Sequence, residues 1–131
     1  MSGRSPFKVL LVDDEEEFVR ALAERLELRG FEPEVALSGE LALQVIEERA
    51  PDVIVLDLRM PGMDGVEVLR RVKRTHPRIQ VIILTGHGSE ADARTVRSLG
   101  AFEHLQKPVE VADLVRCMQE AYERASREEG A

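Results

Sequence analysis

Three uninterrupted runs of aliphatic residues constrain the fold of this chain more than any other feature of its sequence. They are Val9–Val12, Val53–Leu56 and Val81–Leu84. Continuous apolar runs, unlike alternating apolar and polar residues, are typical of strands that are buried on both faces. Strands of this kind occur in parallel sheets that are covered by helices on both sides. The runs therefore predict an α/β fold.

Two weaker stretches predict further strands, and the segments between strands have helical periodicity. The weaker stretches are Glu34–Leu37 and Phe102–Leu105. Predicted helices cover Glu15–Arg29, Ser38–Glu48, a segment starting at Asp64, Ser89–Leu99 and residues 110–126. The order is βαβαβαβαβα, and right-handed crossovers place helices on both faces, which gives a doubly wound sheet.

The helix boundaries have side chains that suit them. Ser38, Asp64 and Ser89 are N-cap residues by type, because each can accept a hydrogen bond from a free amide of the first helical turn. The Ser89–Leu99 helix has the weakest apolar stripe of the five. We expect it to be the element that is held least firmly against the sheet.

Length and composition limit the organisation and the partners of the chain. Its 131 residues fit one domain, predicted at 7–126, with a flexible N-terminus at 1–6 and a charged C-terminal tail at 127–131. No apolar stretch approaches the roughly 18 residues of a membrane span. The N-terminus lacks the apolar core of a signal peptide, so we expect a cytoplasmic protein without membrane contact. The net charge of −7 argues against direct nucleic-acid binding. The single cysteine, Cys117, excludes an internal disulfide.

Polar side chains follow the predicted strands at their carboxyl ends. Asp13 and Asp14 come after the first strand, Asp57 after the third, Thr85 at the end of the fourth and Lys107 after the fifth. Ligands of open parallel sheets bind at these ends, where the strand order reverses. If the order is 2-1-3-4-5, the three carboxylates converge at that point, with Thr85 and Lys107 beside them.

Three carboxylates in one pocket need positive charge nearby. Two unit charges about 4 Å apart repel by about 4 kcal/mol at an effective dielectric constant near 20. Lys107 supplies one positive charge, and Mg²⁺, which prefers oxygen ligands, can supply the rest. Magnesium, a lysine and a hydroxyl are the groups that stabilise a phosphoryl group. One carboxylate is then available as a nucleophile that forms an aspartyl phosphate.

Four motifs resemble one known family at this point. Val12-Asp13-Asp14-Glu15, Leu56–Gly65, Leu84-Thr85-Gly86 and Gln106-Lys107-Pro108 resemble the receiver (CheY-like) domain of two-component response regulators. The resemblance runs from about Lys8 to about Glu123. It implies a flavodoxin-like (βα)5 fold whose five-stranded parallel sheet has the order 2-1-3-4-5.

The resemblance also implies a role for each residue of the pocket. Asp57 matches the phosphoacceptor, Asp14 the direct Mg²⁺ ligand, and Asp13 the carboxylate that holds the metal largely through water. Arg59, two residues after Asp57, matches the position whose main-chain carbonyl binds the metal. The remaining matches are Thr85, the hydroxyl that moves toward the phosphoryl group, and Lys107, the lysine that pairs with it, followed by a cis peptide bond to Pro108.

Some positions depart from the commonest pattern of that family. His104 stands where Tyr or Phe usually forms the ring that swings inward on activation, and histidine titrates near neutral pH. His87 and Arg59 occupy the two positions that flank the phosphoryl group and tune its lifetime. Both are bulky, and either can shield or steer the attacking water.

The implied function is a signalling switch rather than an enzyme, since the domain catalyses only its own phosphorylation and dephosphorylation. A sensor histidine kinase donates the phosphoryl group, and an output protein or domain, which the sequence does not identify, reads the altered surface. A homodimer through the fourth helix, fifth strand and last helix is one arrangement that the family allows. Cys117 stands where OmpR-type regulators commonly have an interface arginine, which argues against the dimer of that subfamily.

Other functions fit the residues less well. Haloacid-dehalogenase-like phosphatases carry a second Asp two residues after their nucleophile, where this chain has Arg59, and the length leaves no room for their cap domain. A flavodoxin-like carrier of FMN needs neutral donors after the first strand, where this chain has acidic residues 13–17. An atypical receiver that binds proteins without phosphorylation stays open because of His104.

Overall fold

The computed structural model describes residues 7–86 and 88–130, and it contains a five-stranded parallel sheet of order β2-β1-β3-β4-β5. The fold class and the strand order predicted above are both confirmed. The elements are β1 (Val9–Val12), α1 (Glu16–Glu27), β2 (Glu34–Ala36), α2 (Gly39–Glu48), β3 (Val53–Leu56), α3 (Gly65–Thr75), β4 (Gln80–Thr85), α4 (Glu90–Ser98), β5 (Glu103–Gln106) and α5 (Val111–Gly130).

The three central strands are buried on both faces, which explains their continuous apolar runs. Leu10, Ile54 and Ile83 face a core that α2, α3 and α4 complete. Leu11, Val55 and Ile82 face a second core, formed with α1 and α5. Because successive residues of a strand point to opposite faces, each run contributes to both cores. The edge strands β2 and β5 are only partly buried.

All three predicted N-caps are present. Ser38 Oγ accepts a hydrogen bond from Leu41 N at 3.1 Å, and Asp64 Oδ1 accepts one from Glu67 N at 3.0 Å. Ser89 belongs to a reciprocal capping box with Asp92. These caps fix the first turn of each helix, and two of them, Asp64 and Ser89, lie in the loops that follow the central strands β3 and β4.

Several boundaries differ from the predicted ones. The helix α1 ends at Glu27, where the chain turns through Gly30 with a φ of 92°. The strand β5 begins at Glu103, one residue later than predicted. The helix α5 continues to Gly130, so the charged tail predicted from residue 127 is helical up to that point. An Arg124–Glu128 ion pair of 3.4 Å lies on its last turns, where the sequence pattern is no longer apolar.

Two sequence predictions concern residues outside those that the structure describes. The flexible N-terminus was assigned to residues 1–6, and His87 was assigned to the rim of the pocket. Both stay predictions. Among the described residues, no helix combines the length and the apolar character that crossing a membrane requires.

Candidate functional site

The register of the sheet brings Asp13 and Asp57 side by side. Val12 pairs with Leu56 in the β1–β3 ladder, and Asp57 N donates a hydrogen bond to Val12 O at 3.0 Å. The residues that follow these two strands therefore lie together at the carboxyl edge of the sheet. Asp13 is 4% exposed and Asp57 is 3% exposed, so both acidic groups are buried.

Asp14 joins these two residues to form a set of oxygen ligands. One carboxylate oxygen from each of Asp13, Asp14 and Asp57 lies within 4.8 Å of the others. Asp57 Oδ1 is buried and has no hydrogen-bond partner among the described residues. Asp14 is exposed. Two buried carboxylates and one that opens to solvent suit a hard divalent cation that keeps part of its water shell, as Mg²⁺ does.

Lys107 brings a positive charge to the edge of this cluster. Its Nζ lies 2.8 Å from Asp13 Oδ2 and 2.6 Å from Glu15 Oε1. The ammonium group also lies 4.2 Å from the centre of the Phe18 ring, within the range of a cation–π contact. Lys107 N donates to Thr85 O at 3.0 Å, and the Lys107–Pro108 bond is cis, as the resemblance implied. The lysine is thus held by residues of the β1–α1 segment and by the end of β4.

Burial and ion pairing oppose each other at the Asp13–Lys107 pair. Burial raises the pKa of Asp13, and the neighbouring Asp57 carboxylate adds to the increase; hydrogen bonds from Lys107 and Glu15 N only partly offset it. Burial also disfavours the charged form of Lys107, but hydrogen bonds to Asp13 and Glu15 outweigh this and raise its pKa. The charged form of Asp13 therefore has an energetic cost, which added positive charge near the pair would relieve.

A second group of contacts links Thr85 to His104. Thr85 is fully buried at the end of β4. His104 pairs with Ile83, whose side chain faces the core that includes α4, so the His104 ring lies on that same side of the sheet. A Cβ atom on Gly88 would overlap the His104 ring and lie 3.1 Å from Thr85 Cγ2. Gly88 therefore leaves the space that the imidazole occupies. His104 Nε2 is buried without a hydrogen-bond partner among the described residues.

The loop after Asp57 is held against the end of β3 at one glycine. Gly65 N donates to Leu58 O at 2.9 Å, and a Cβ atom on Gly65 would overlap the carbonyl oxygen of Asp57. Close approach, rather than turn geometry, requires glycine at this position. Turn geometry does apply at Gly62, whose φ is 77°. The start of α3 is thereby fixed directly against the main chain of Asp57.

The Arg59 side chain contacts the first turn of α4 in this structure. Its side chain is exposed, and its Nη2 lies 3.4 Å from Asp92 Oδ2 in the first turn of α4. The predicted site thus divides into groups. Asp13, Asp14 and Asp57 come together, Lys107 pairs with Asp13, Thr85 approaches His104 through Gly88, and the Arg59 side chain binds α4.

Two neighbours of Lys107 were missed by the sequence reasoning. Neither Glu15 nor Phe18 was among the predicted site residues. In the structure both contact the Lys107 ammonium group. Their position directly after the Asp13-Asp14 pair was the available signal, because residues that follow a strand at this edge lie close to the pocket.

Comparison with known proteins agrees with this architecture. Residues 9–119 match the family of response regulator receiver domains. The chain is 34% identical over 110 residues to the photosynthetic apparatus regulatory protein RegA of Rhodobacter capsulatus, covering 84% of this chain and 60% of RegA. It is 36% identical over 124 residues to the transcriptional regulatory protein GlrR of Escherichia coli, covering 95% of this chain and 28% of GlrR. The chain therefore spans less than two thirds of the length of either relative.

Solved structures give the same result. A CheY-like receiver domain protein from Methanospirillum hungatei superposes with a TM-score of 0.89 at 27% identity, covering 95% of this chain and 99% of that one. A receiver domain from Clostridium thermocellum superposes with a TM-score of 0.86 at 36% identity, covering 91% and 96% of the two chains. The family match, the strand order and the acidic cluster at the sheet edge agree, and this chain belongs to the receiver domains of two-component response regulators.

Proposed function

We propose that this chain is a phosphoryl-accepting switch in which Asp57 takes a phosphoryl group from a sensor histidine kinase. The observation that carries the proposal is the buried Asp57 Oδ1, which lacks a hydrogen-bond partner among the described residues and lies in a cluster with Asp13 and Asp14. A buried polar atom of this kind costs free energy unless a ligand satisfies it. Its position, within 4.8 Å of two further carboxylate oxygens, supports a cation and a phosphoryl group as that ligand.

The transfer uses groups that this chain supplies. An Asp57 oxygen attacks the phosphorus of a donor phosphohistidine, a new O–P bond forms, and the P–N bond breaks with its electron pair returning to the imidazole. Mg²⁺, held by Asp13, Asp14, Asp57 and the Arg59 carbonyl, would supply charge neutralisation for the phosphoryl oxygens. Lys107 adds a second positive charge, and the Thr85 hydroxyl is a hydrogen-bond donor at the end of the neighbouring strand.

Phosphorylation then has a route from the pocket to the surface. The Thr85 side chain and the His104 ring both lie beside Gly88, where the ring fills the space that a Cβ atom would need. Gln106 Nε2 donates a hydrogen bond to Gly88 O at 2.7 Å. A displacement of Thr85 toward the phosphoryl group would change the room that is available to His104. The surface of α4, β5 and α5 is therefore where we expect an output partner, or a second copy of the chain, to detect the change.

Two alternatives make different predictions. A receiver that binds proteins without phosphorylation would keep the fold and leave Asp57 unmodified. An aspartyl phosphatase would turn over p-nitrophenyl phosphate, although Arg59 occupies the place of its second Asp. The proposed switch has no activity beyond its own phosphorylation and dephosphorylation, and it does not bind nucleic acid directly. A cytoplasmic location, beside the kinase domain of its donor, is part of the same proposal.

Intact mass after incubation with acetyl phosphate and Mg²⁺ tests the proposal. We expect the mass of one phosphoryl group to be gained by the wild-type chain, and by Asp113→Asn, which removes an exposed aspartate of α5. We expect no gain for Asp57→Asn or without Mg²⁺. Equal labelling of Asp57→Asn would contradict the assignment of the acceptor. Failure of the wild-type chain, with a known receiver labelled in parallel, would favour the phosphorylation-independent module.

A further inference from the structure

An ion pair connects the loop that follows Asp57 with the first turn of α4. Arg59 and Asp92 are 33 residues apart in sequence, and their closest side-chain atoms are 3.4 Å apart. Their side chains are 61% and 33% exposed. An ion pair this exposed contributes little to stability and is easily displaced by a stronger partner.

The same Asp92 oxygen completes the N-terminal cap of α4. Asp92 Oδ2 accepts a hydrogen bond from Ser89 N at 3.2 Å, and Asp92 N donates to Ser89 Oγ at 3.0 Å. Hydrogen bonds with Ser89, and then the positive charge of Arg59, lower the pKa of Asp92. The Arg59 guanidinium is therefore bound to the cap itself rather than to an unrelated surface group.

The helix α4, which receives this contact, packs few apolar side chains against the sheet. Within the part of the chain that the structure describes, Val96 is the α4 residue whose side chain is fully buried, whereas α3 buries Val68, Leu69 and Val72. A helix with one buried apolar side chain depends more on its cap and on its polar contacts than a well-packed one does. Loss of the Arg59 contact should therefore weaken the position of α4 against the sheet.

We propose that Arg59 is a positioning residue that moves between two anions: Asp92 in the unphosphorylated chain and the phosphoryl group on Asp57 in the phosphorylated one. The inference rests on the proposed function. Arg59 follows Asp57 by two residues, so its flexible side chain starts at the rim of the pocket. A guanidinium group binds phosphate oxygens in a bidentate manner and prefers a doubly charged anion to one shared carboxylate oxygen. Phosphorylation would thus remove an ion pair from the α4 cap by a route that does not use Thr85 or His104.

A double-mutant cycle with beryllofluoride, a phosphoryl analogue, tests the competition. The affinity of the full chain for beryllofluoride at saturating Mg²⁺ is measured for the wild type, Asp92→Asn, Arg59→Met and the double variant. Asn keeps an oxygen that can accept from Ser89 N, so it removes the charge and retains the cap. We expect Asp92→Asn to tighten binding roughly twofold to fivefold, the range of an exposed ion pair. In the Arg59→Met background the same substitution should change nothing.

A purely structural role of Asp92 gives a different pattern. If Asp92 acted only through the cap, its effect would persist in the Arg59→Met background, and Ser89→Ala would reproduce it; either result overturns the inference. The Arg59 Nε–Hε resonance gives an independent readout, which should shift when beryllofluoride is added and not with Mg²⁺ alone. Binding with equal affinity by all variants would overturn this inference alone. No binding by the wild type would overturn the proposed function together with it.

Discussion

Lys107 and Asp13 form an ion pair that is almost closed to solvent, with their side chains 13% and 5% exposed and a 2.8 Å separation between Nζ and Oδ2. The pair joins the segment after β5 to the segment after β1, two strands that lie on opposite sides of β3. Although the lysine compensates the carboxylate, burial still raises the pKa of Asp13. The pocket is therefore maintained at some cost to the stability of the fold.

Asp13→Asn should stabilise the metal-free protein at neutral pH. A carboxyl group whose folded-state pKa is raised destabilises the folded state above that pKa, and the penalty disappears as the pH falls and the group binds a proton. We expect a gain of about 1 kcal/mol in the free energy of unfolding at pH 7, decreasing toward the ordinary pKa of 3.8. Urea denaturation in EDTA at several pH values measures it. Asp113→Asn, on the exposed face of α5, is the control and should not gain stability at pH 7. A loss of stability on Asp13→Asn at pH 7 would contradict the prediction.

Mg²⁺ should stabilise the fold through Asp14. Because Asp14 is exposed and contributes one oxygen to the cluster, Asp14→Asn removes a ligand with little effect on packing. Mg²⁺ at about ten times its Kd adds about 1.4 kcal/mol to the free energy of unfolding of the wild type. We expect Asp14→Asn to lose most of that gain at the same concentration, and Asp113→Asn to keep it. Thermal unfolding followed by circular dichroism measures the difference, and equal Mg²⁺ gains in all three proteins would rule out this ligand.

Gly65→Ala should destabilise the fold and also displace the main chain at Asp57. The added methyl group would overlap the main-chain oxygen of Asp57, so either α3 or the acceptor loop must move. We expect a loss of roughly 2 kcal/mol in the free energy of unfolding, typical of an overpacked site. Gly86→Ala is the matched control, because a Cβ atom there lies 3.9 Å from Lys107 Cδ, an ordinary contact. Urea denaturation should give a lower free energy of unfolding for Gly65→Ala than for Gly86→Ala. Equal free energies would contradict the close approach at Gly65.

Cys117 should react slowly with thiol reagents while the chain is folded. It is 8% exposed on the inner face of α5, and burial, with Glu103 and Glu120 nearby, raises its pKa to about 12. Since the thiolate is the reactive form, labelling by DTNB at pH 8 should be at least roughly tenfold slower than in denaturant. A Cys117→Ala, Gln119→Cys variant places a thiol on the exposed face of the same helix and should react fast. Rapid labelling of native Cys117 would mean that α5 opens readily.

The sequence was informative where burial is complete. The continuous runs located β1, β3 and β4 to within a residue at each end, because strands buried on both faces admit almost no polar residue. The edge strands β2 and β5, which contain Glu34 and Glu103, gave a weaker apolar signal, but they too were located to within a residue at each end. The strand order followed from the family resemblance, since no local pattern specifies which parallel strands pair.

The side-chain contacts of the site were harder to predict than its members. Asp13, Asp14 and Asp57 were placed together by the strand ends that carry them. Lys107 and Glu15, by contrast, are 92 residues apart and meet through two long, flexible side chains. The Arg59–Asp92 pair has the same character. Such contacts depend on rotamers and on loop paths, for which neither hydrophobic periodicity nor spacing gives a signal.

Parallel strands give this fold two unlike ends. Every residue of the pocket lies in segments at the carboxyl ends of β1, β3, β4 and β5, while the turns at the amino ends of these strands carry none of them. The turns at the amino ends, such as the turn between α3 and β4, can therefore accept substitutions and insertions without changing the residues of the pocket. A protein engineer could therefore graft a fluorescent reporter or a peptide tag there and leave the pocket intact.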